Sequence, residues 1–251
     1  MGPKVLFLDI ETSPILMTSW SMRSPQAGAI YVLRDTYILM ASYKWGHEKT
    51  VKTIALPDYV RYKRHRHDDK DLCADLRDLL DTADIVVAHN GDSFDVKKIN
   101  SRLITNGFKP PSPYKTIDTL KISRGSFKFD SNKLDNIGRY LSEGRKIPNT
   151  GAALWRGVVE DGDPKAWATM RKYCKQDTAL LASVYERIKP WAKTHPDMNL
   201  YKAVRDRPPG MPCPTCESSN TQRRGVIVKL KMRRHRFQCQ DCGSWFSGKP
   251  V

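Results

Sequence analysis

The segment Val5–Ile10, VLFLDI, with Glu11 directly after it, constrains this chain more than any other. Its length and apolar character are those of a strand buried in the middle of a sheet. Yet Asp9 and Glu11 stand two residues apart, so both carboxylates point to one face while Leu8 and Ile10 point to the other. Two like charges in apolar surroundings repel each other and are poorly solvated unless a cation lies between them. A fold built on this strand must therefore bring a cation, and a divalent metal is the economical choice, to the strand's C-terminal end.

Two more segments place acids where apolar residues are expected. A long helix is predicted from Pro164, a favourable first-turn residue, to about Lys189, with Pro190 ending it. Its inward stripe reads Trp167, Met170, Cys174, Asp177, Leu181, Val184 and Ile188, so Asp177 occupies a core position. Tyr173 lies one turn earlier on the same side. In the third segment Asp95 follows Phe94 in the first helical turn after the predicted strand Ile85–Ala88, at the carboxyl end where α/β sheets carry their sites. Each acid has an ordinary explanation. Asp95 suits a helix N-terminus electrostatically, Asp177 could pair with Lys or Arg, and Asp9 and Glu11 could mark an exposed strand end. Their coincidence argues instead for two Mg²⁺ or Mn²⁺ ions, hard cations that take carboxylate ligands and serve phosphoryl chemistry.

Around these segments, Tyr37–Trp45 and Thr50–Leu56 read as strands joined by a turn at Gly46-His47. After a basic loop at Arg61–His67, Asp68 or Asp69 can cap a helix bearing Leu72, Leu76, Leu79 and Leu80 on one face. A helix from about Ser93 to Asn106 carries Val96, Ile99, Leu103 and Ile104 and stops at Gly107. Asp92 is expected to cap it. Tyr114–Ile122 reads as a further strand and Asn132–Leu141 as a helix. Strands first, then strands interleaved with helices, give an α/β fold with a mixed sheet flanked by helices. The expected divisions are a domain over 1–194, a proline-bearing linker over 195–210, and a small module over 211–251. The chain has no apolar run of about 18 residues and no secretory signal pattern, so a cytoplasmic location is expected.

Lys and Arg number 43 against 27 acids, a formal charge of +16. The last 50 residues carry 11 bases and three acids, half of that excess. Such a balance calls for a polyanionic partner, of which nucleic acid is the usual one. The absence of a basic amphipathic helix argues against an anionic membrane.

Of six cysteines, Cys73 and Cys174 sit singly in apolar-periodic segments and are expected to be core residues. Cys213-x-x-Cys216 and Cys239-x-x-Cys242 are 22 residues apart, close to the spacing of a zinc ribbon. Four thiolates leave no open position, so this Zn²⁺ is expected to be structural. Strands are predicted at Val226–Leu230 and Arg236–Phe237. Arg223, Arg224, Lys229, Lys231, Arg233, Arg234 and Arg236, with Phe237 and Trp245 among them, suit phosphate contact and base stacking. A protein-docking surface is the competing reading.

In order along the chain, Asp9-Ile10-Glu11 within LFLDIETSP, AHNGDSFD and YCKQD resemble the three motifs of the DEDD exonuclease superfamily in its tyrosine subclass. The second has the form found in the proofreading domain of family B DNA polymerases, and NKLDNIGRYL is similar to the segment before the third motif there. The resemblance covers roughly residues 4–190 and implies a ribonuclease-H-like fold and 3′→5′ exonuclease activity. It also implies roles. Asp9 bridges two metals, Glu11 and Asp177 complete the water-activating site, and Asp95 holds the second metal. Tyr173 orients the attacking water. Asn90 and Phe94 contact the terminal nucleotide. The segments CPTC and RFQCQDCGSWFS are similar to zinc ribbons of some transposases, although Glu217 stands where glycine is common. The expected partner is nucleic acid, DNA before RNA, with a replication or repair protein as a further candidate, in a bacterial or phage-infected cell. A binding adaptor and a structure-specific endonuclease or recombinase are the alternatives.

Overall fold

A computed structural model describes residues 2–20, 29–147, 151–202, 210–229 and 232–250. The elements before the cysteine module run β1 (Val5–Thr12), β2 (Leu16–Ser19), β3 (Ala29–Arg34), β4 (Ile38–Trp45), β5 (Lys52–Ala55), α1 (Lys70–Thr82), β6 (Ile85–Ala88), α2 (Asp95–Thr105), β7 (Lys115–Asp118), α3 (Thr119–Ser126), α4 (Leu134–Tyr140), α5 (Ala152–Arg156) and α6 (Pro164–Ile188). The module adds β8 (Thr221–Lys229), β9 (Met232–Cys239) and β10 (Trp245–Pro250).

The main sheet has the order β5-β4-β1-β6-β7, antiparallel on the β4 side of β1 and parallel on the β6 side. β1 is therefore its centre, and Leu6, Phe7, Leu8 and Ile10 are buried as the apolar run requires. One core lies beneath α1, α2 and the first half of α6, built on Leu6, Leu8, Met40, Leu76, Ile99 and Met170. The other holds Phe7, Val87, Ile137, Leu181 and Tyr185. All seven residues of the predicted α6 stripe are buried, and the helix starts where Asp163 accepts the Lys165 amide and Pro164 fills the first turn. Ser42 of β4 donates from its hydroxyl to the Cys174 carbonyl (2.9 Å) and bonds the Thr178 hydroxyl, which fixes α6 across the β1–β4 pair.

Several expectations are corrected. β2 and β3 form a two-stranded antiparallel sheet outside the main one, in a stretch assigned no structure from sequence. Their residues lack a clean alternation, and Leu16, Tyr31, Val32 and Leu33 remain exposed. The strand predicted over Tyr114–Ile122 ends at Asp118. That carboxylate accepts the Leu120 amide (2.9 Å) and starts α3, so Ile122 is helical. Ile104, placed on the apolar stripe of α2, is 75% exposed. Asp69 does not cap α1 with its side chain. Instead Asp68 accepts the Lys70 amide (2.9 Å), and Asp69 is fully buried between Arg102, Asn106 and the Ile38 amide. In the cysteine module the strands are longer than expected, and β10 joins the sheet in the order β10-β9-β8. Within the segment read as a linker, Met198–Tyr201 forms a 3-10 turn. Its Met198 amide bonds the Pro214 carbonyl (3.0 Å), and Asn199 Nδ2 bonds the Cys213 carbonyl (3.0 Å). Among the described residues no helix is long and apolar enough to cross a membrane.

Candidate active site

β1 pairs with β6 only over Val5–Phe7, so its C-terminal half projects past the parallel neighbour. The Ile10 amide, lacking a β6 carbonyl, donates to Asp95 Oδ1 (3.1 Å). That bond docks the first turn of α2 against β1 and buries Asp95 to 4% exposure. The connection before it is tight. Asn90 adopts φ 67°, and a Cβ on Gly91 would lie 2.4 Å from Ala88 Cβ, so only glycine fits there. The Asn90 amide donates to Asp118 Oδ1 (2.8 Å). His89 bonds Thr119 Oγ1 and the Asn132 carbonyl (both 2.9 Å), and burial holds its pKa below the usual value. Asp92 pairs with Lys121 (2.6 Å) and does not cap α2, whose N-cap Phe94 is 42% exposed beside the site.

From the other side, α6 delivers Asp177, 1% exposed, and Tyr173. A close approach permits this packing. A Cβ on Gly138 of α4 would meet Leu180 Cδ1 at 2.7 Å and the Gly144 carbonyl at 2.8 Å. Lys146 Nζ donates to Asp177 Oδ2 (2.5 Å) and lies 5.4 Å from the Tyr173 ring centre. Its segment is held by Asp135, which accepts the Lys146 amide (2.8 Å) and pairs with Arg145 (3.1 Å). Asp177 Oδ1 is buried with no hydrogen-bond partner.

Asp9, Glu11, Asp95 and Asp177 lie near enough for their charges to act on one another, and Lys146 is paired with Asp177 among them. The electrostatics follow. Burial and then the neighbouring carboxylates push Asp9 well above the usual range. Burial, with the Asp177 charge, raises Glu11 to about 7, and burial raises Asp95 to about 6. Asp177 is raised by burial against the pull of Lys146. The Tyr173 hydroxyl, half-buried and facing Asp177 and Glu11, is raised and stays protonated. A set of oxygen donors with an orphaned carboxylate oxygen fits a hard divalent ion.

Sequence reasoning missed three groups here. Lys146 lies 31 residues from Asp177 in a segment with no periodic signal. Arg124 and Lys133 line, with Asp9, Asn90 and Lys146, a cleft of about 570 Å³. They come from α3 and the loop before α4, and nothing local marks them.

The Glu11 shift carries a prediction. Its folded pKa of about 7 exceeds the ordinary 4.5, so its contribution to stability is present below about pH 4.5 and lost as pH rises through about 7. Chelator-treated Glu11→Gln protein is expected to be more stable than the parent at pH 8, by on the order of 2 kcal/mol. The two should converge near pH 5. Urea melts at both pH values check this, and equal stability at pH 8 would contradict it.

In the cysteine module, the Sγ atoms of Cys213, Cys216, Cys239 and Cys242 lie within 4.8 Å of one another. The pairs Cys213–Cys242 (3.7 Å) and Cys216–Cys239 (3.6 Å) are close to the roughly 3.8 Å between sulfurs on a zinc tetrahedron. None of the six cysteines is in a disulfide. The basic residues do not form one patch. Strand register puts Arg234 and Arg236 on the face of Trp245, and Arg223 and Arg233 on the opposite one. The Arg236 guanidinium lies 5.0 Å from the Trp245 ring, and Arg234 donates to the Gly248 carbonyl (3.2 Å). Arg223, Arg224 and Arg233 are exposed. Lys229 is the last described residue of β8, and Lys231 lies outside the described residues. The knuckle Thr215–Glu217 shares a cleft of about 650 Å³ with Val5 and Phe7, at the end of β1 away from the carboxylates.

Three comparisons bear on this architecture. A DNA polymerase III PolC-type of Ureaplasma parvum serovar 3 (strain ATCC 700970) is 41% identical over 71 residues, 28% of this chain and 5% of that protein. The family B DNA polymerase from the hyperthermophilic archaeon Pyrobaculum calidifontis superposes with a TM-score of 0.54 at 16% identity, over 75% of this chain and 25% of that one. That likeness is one of fold, and the chain spans only a small part of either polymerase. Residues 6–189 match the RNase H superfamily. Because that match begins in β1 and ends just past α6, it takes in the whole main sheet and all four clustered carboxylates, and the chain belongs to the RNase H superfamily.

Proposed function

We propose that the protein is a metal-dependent 3′→5′ exonuclease of the DEDD tyrosine subclass. It would hydrolyse phosphodiester bonds at the 3′ ends of nucleic acid, single-stranded DNA before RNA, and release nucleoside 5′-monophosphates. The observation that carries this reading is a set of four carboxylates from β1, α2 and α6 whose charges act on one another, with Asp177 Oδ1 unpartnered and a protonated Tyr173 facing Asp177. The similarity to parts of two DNA polymerases agrees with it.

Asp9, Glu11, Asp95 and Asp177 would hold two Mg²⁺ or Mn²⁺ ions. Such ions lower the pKa of a bound water and offset charge on the reacting phosphate and the leaving oxygen. The chain's own groups do the rest. The Tyr173 hydroxyl donates a hydrogen bond that orients the attacking water, because its raised pKa keeps it from acting as a base at neutral pH. Lys146 holds Asp177 and places one positive charge beside the phosphate. Arg124 and Lys133, exposed on the cleft, bind backbone phosphates. Exposed Phe94 stacks on the terminal base, and Asn90 hydrogen-bonds its sugar or base edge.

In the same reading residues 1–194 are the nuclease domain, 195–210 the connection, and 211–251 a zinc ribbon that contacts nucleic acid. Arg236 stacked on Trp245 would give the ribbon a base-stacking surface. One equivalent of zinc should be released when the thiolates are titrated with a mercurial. The Cys213→Ser protein should release less than half as much and lose the ribbon's backbone protection in hydrogen exchange. Full zinc retention there would exclude Cys213 as a ligand.

The deciding experiment uses 5′-labelled single-stranded DNA and RNA with Mg²⁺, Mn²⁺ or chelator. A metal-dependent ladder shortening from the 3′ end establishes the activity. Tight binding with intact ends moves the reading to a nucleic-acid adaptor, and cuts in a circular single strand move it to an endonuclease.

A further inference from the structure

Cys174 was expected to be an ordinary core residue, and it is fully buried. Its sulfur, however, faces the carboxylates. Sγ lies 3.7 Å from Glu11 Oε1 and 4.0 Å from Asp9 Oδ2, and one donor atom from each of the three residues falls within 4.8 Å of the others. A sulfur and an oxygen bound tetrahedrally to one zinc ion stand about 3.6 Å apart, so the spacing is within a few tenths of an ångström of a shared ligand sphere. Asp177, 1% exposed and with Oδ1 unpartnered, adds a further oxygen whose charge acts on all three. Magnesium and manganese have no use for a thiolate, whereas zinc and cadmium prefer it.

We propose that Cys174 makes the carboxylate site a mixed oxygen–sulfur site that captures thiophilic divalent ions of the zinc and cadmium class. Asp9 and Glu11 supply the oxygens and Cys174 the thiolate, with its proton released to solvent as the ion enters. The ion takes the place of the hard metal, so zinc would inhibit the hydrolysis proposed above. That consequence rests on the exonuclease reading, whereas the binding itself does not.

The test is a cadmium titration of the full chain, read by sulfur-to-cadmium charge-transfer absorption. The parent is compared with Cys174→Ser and Cys174→Ala, each first shown to be folded by its melting curve. The four ribbon cysteines contribute equally in all three proteins. The parent should show an additional thiolate signal, absent in both variants and suppressed by excess Mn²⁺. Zinc affinity of the same site should fall by about tenfold or more in Cys174→Ser, the scale on which loss of a supporting ligand group acts. Identical charge-transfer spectra in parent and variants would overturn the proposal, as would an additional signal indifferent to Mn²⁺. If the extra signal is present but the parent cleaves nothing with Mg²⁺ or Mn²⁺, the exonuclease reading fails and the mixed site stands.

Discussion

Replacing Asp9 with asparagine is expected to slow metal-dependent hydrolysis of a 5′-labelled oligonucleotide by on the order of 10³-fold or more. The Asp95, Glu11 and Asp177 charges all act on Asp9 and raise its pKa, which places it among the other three carboxylates. The amide keeps the size and shape of the side chain and removes the charge. Binding of metal should weaken while the fold is retained, because a carboxylate crowded by Asp95, Glu11 and Asp177 costs stability in the metal-free protein. The asparagine protein should therefore melt at a temperature equal to or above that of the chelator-treated parent. Rates within tenfold of the parent would remove Asp9 from the metal site. A protein that fails to fold would show that the carboxylate serves the structure instead.

The second large effect concerns stability. Asp69 is fully buried and receives four hydrogen bonds, from the Ile38 amide (2.9 Å), Arg102 Nε (2.8 Å), Arg102 Nη2 (2.7 Å) and Asn106 Nδ2 (2.9 Å). These bonds join the start of β4, the start of α1 and the end of α2. Asp69→Ala would leave the Arg102 charge and two further donors without their acceptor. The expected loss is about 3–5 kcal/mol, the range for breaking a buried ion pair from one side. Urea denaturation checks this through a lower midpoint at an unchanged slope. The Asp69→Ala, Arg102→Leu double variant should be less destabilised than the sum of its parts, because the leucine removes the orphaned charge. A loss below 1 kcal/mol would show that water replaces the carboxylate.

Much of the site was legible along the chain because its acids violate local patterns. Asp9 and Glu11 interrupt an apolar strand, Asp177 interrupts an apolar helical stripe, and two CxxC pairs stand at ribbon spacing. Such violations are readable without tertiary information, since period and polarity are properties of a short segment. Pro164 also marked where α6 starts, whereas its cap at Asp163 and the tight Asn90-Gly91 connection from β6 to α2 appear only in the structure. The partners of these residues were not legible. Lys146, Arg124 and Lys133 carry no periodic signal, and the helix start at Asp118 depends on a side chain that also accepts the Asn90 amide from the connection after β6. The buried role of Asp69 depends on Arg102 and Asn106 of α2, which reach it only once α1 and α2 pack together. Cys174 reads as one more apolar position on its helix, and only the crossing of α6 over β1 turns its sulfur toward two carboxylates. The sequence by itself determined which groups could not be left without a cation. Packing between distant segments decided which lysine, and which thiol, stand beside them.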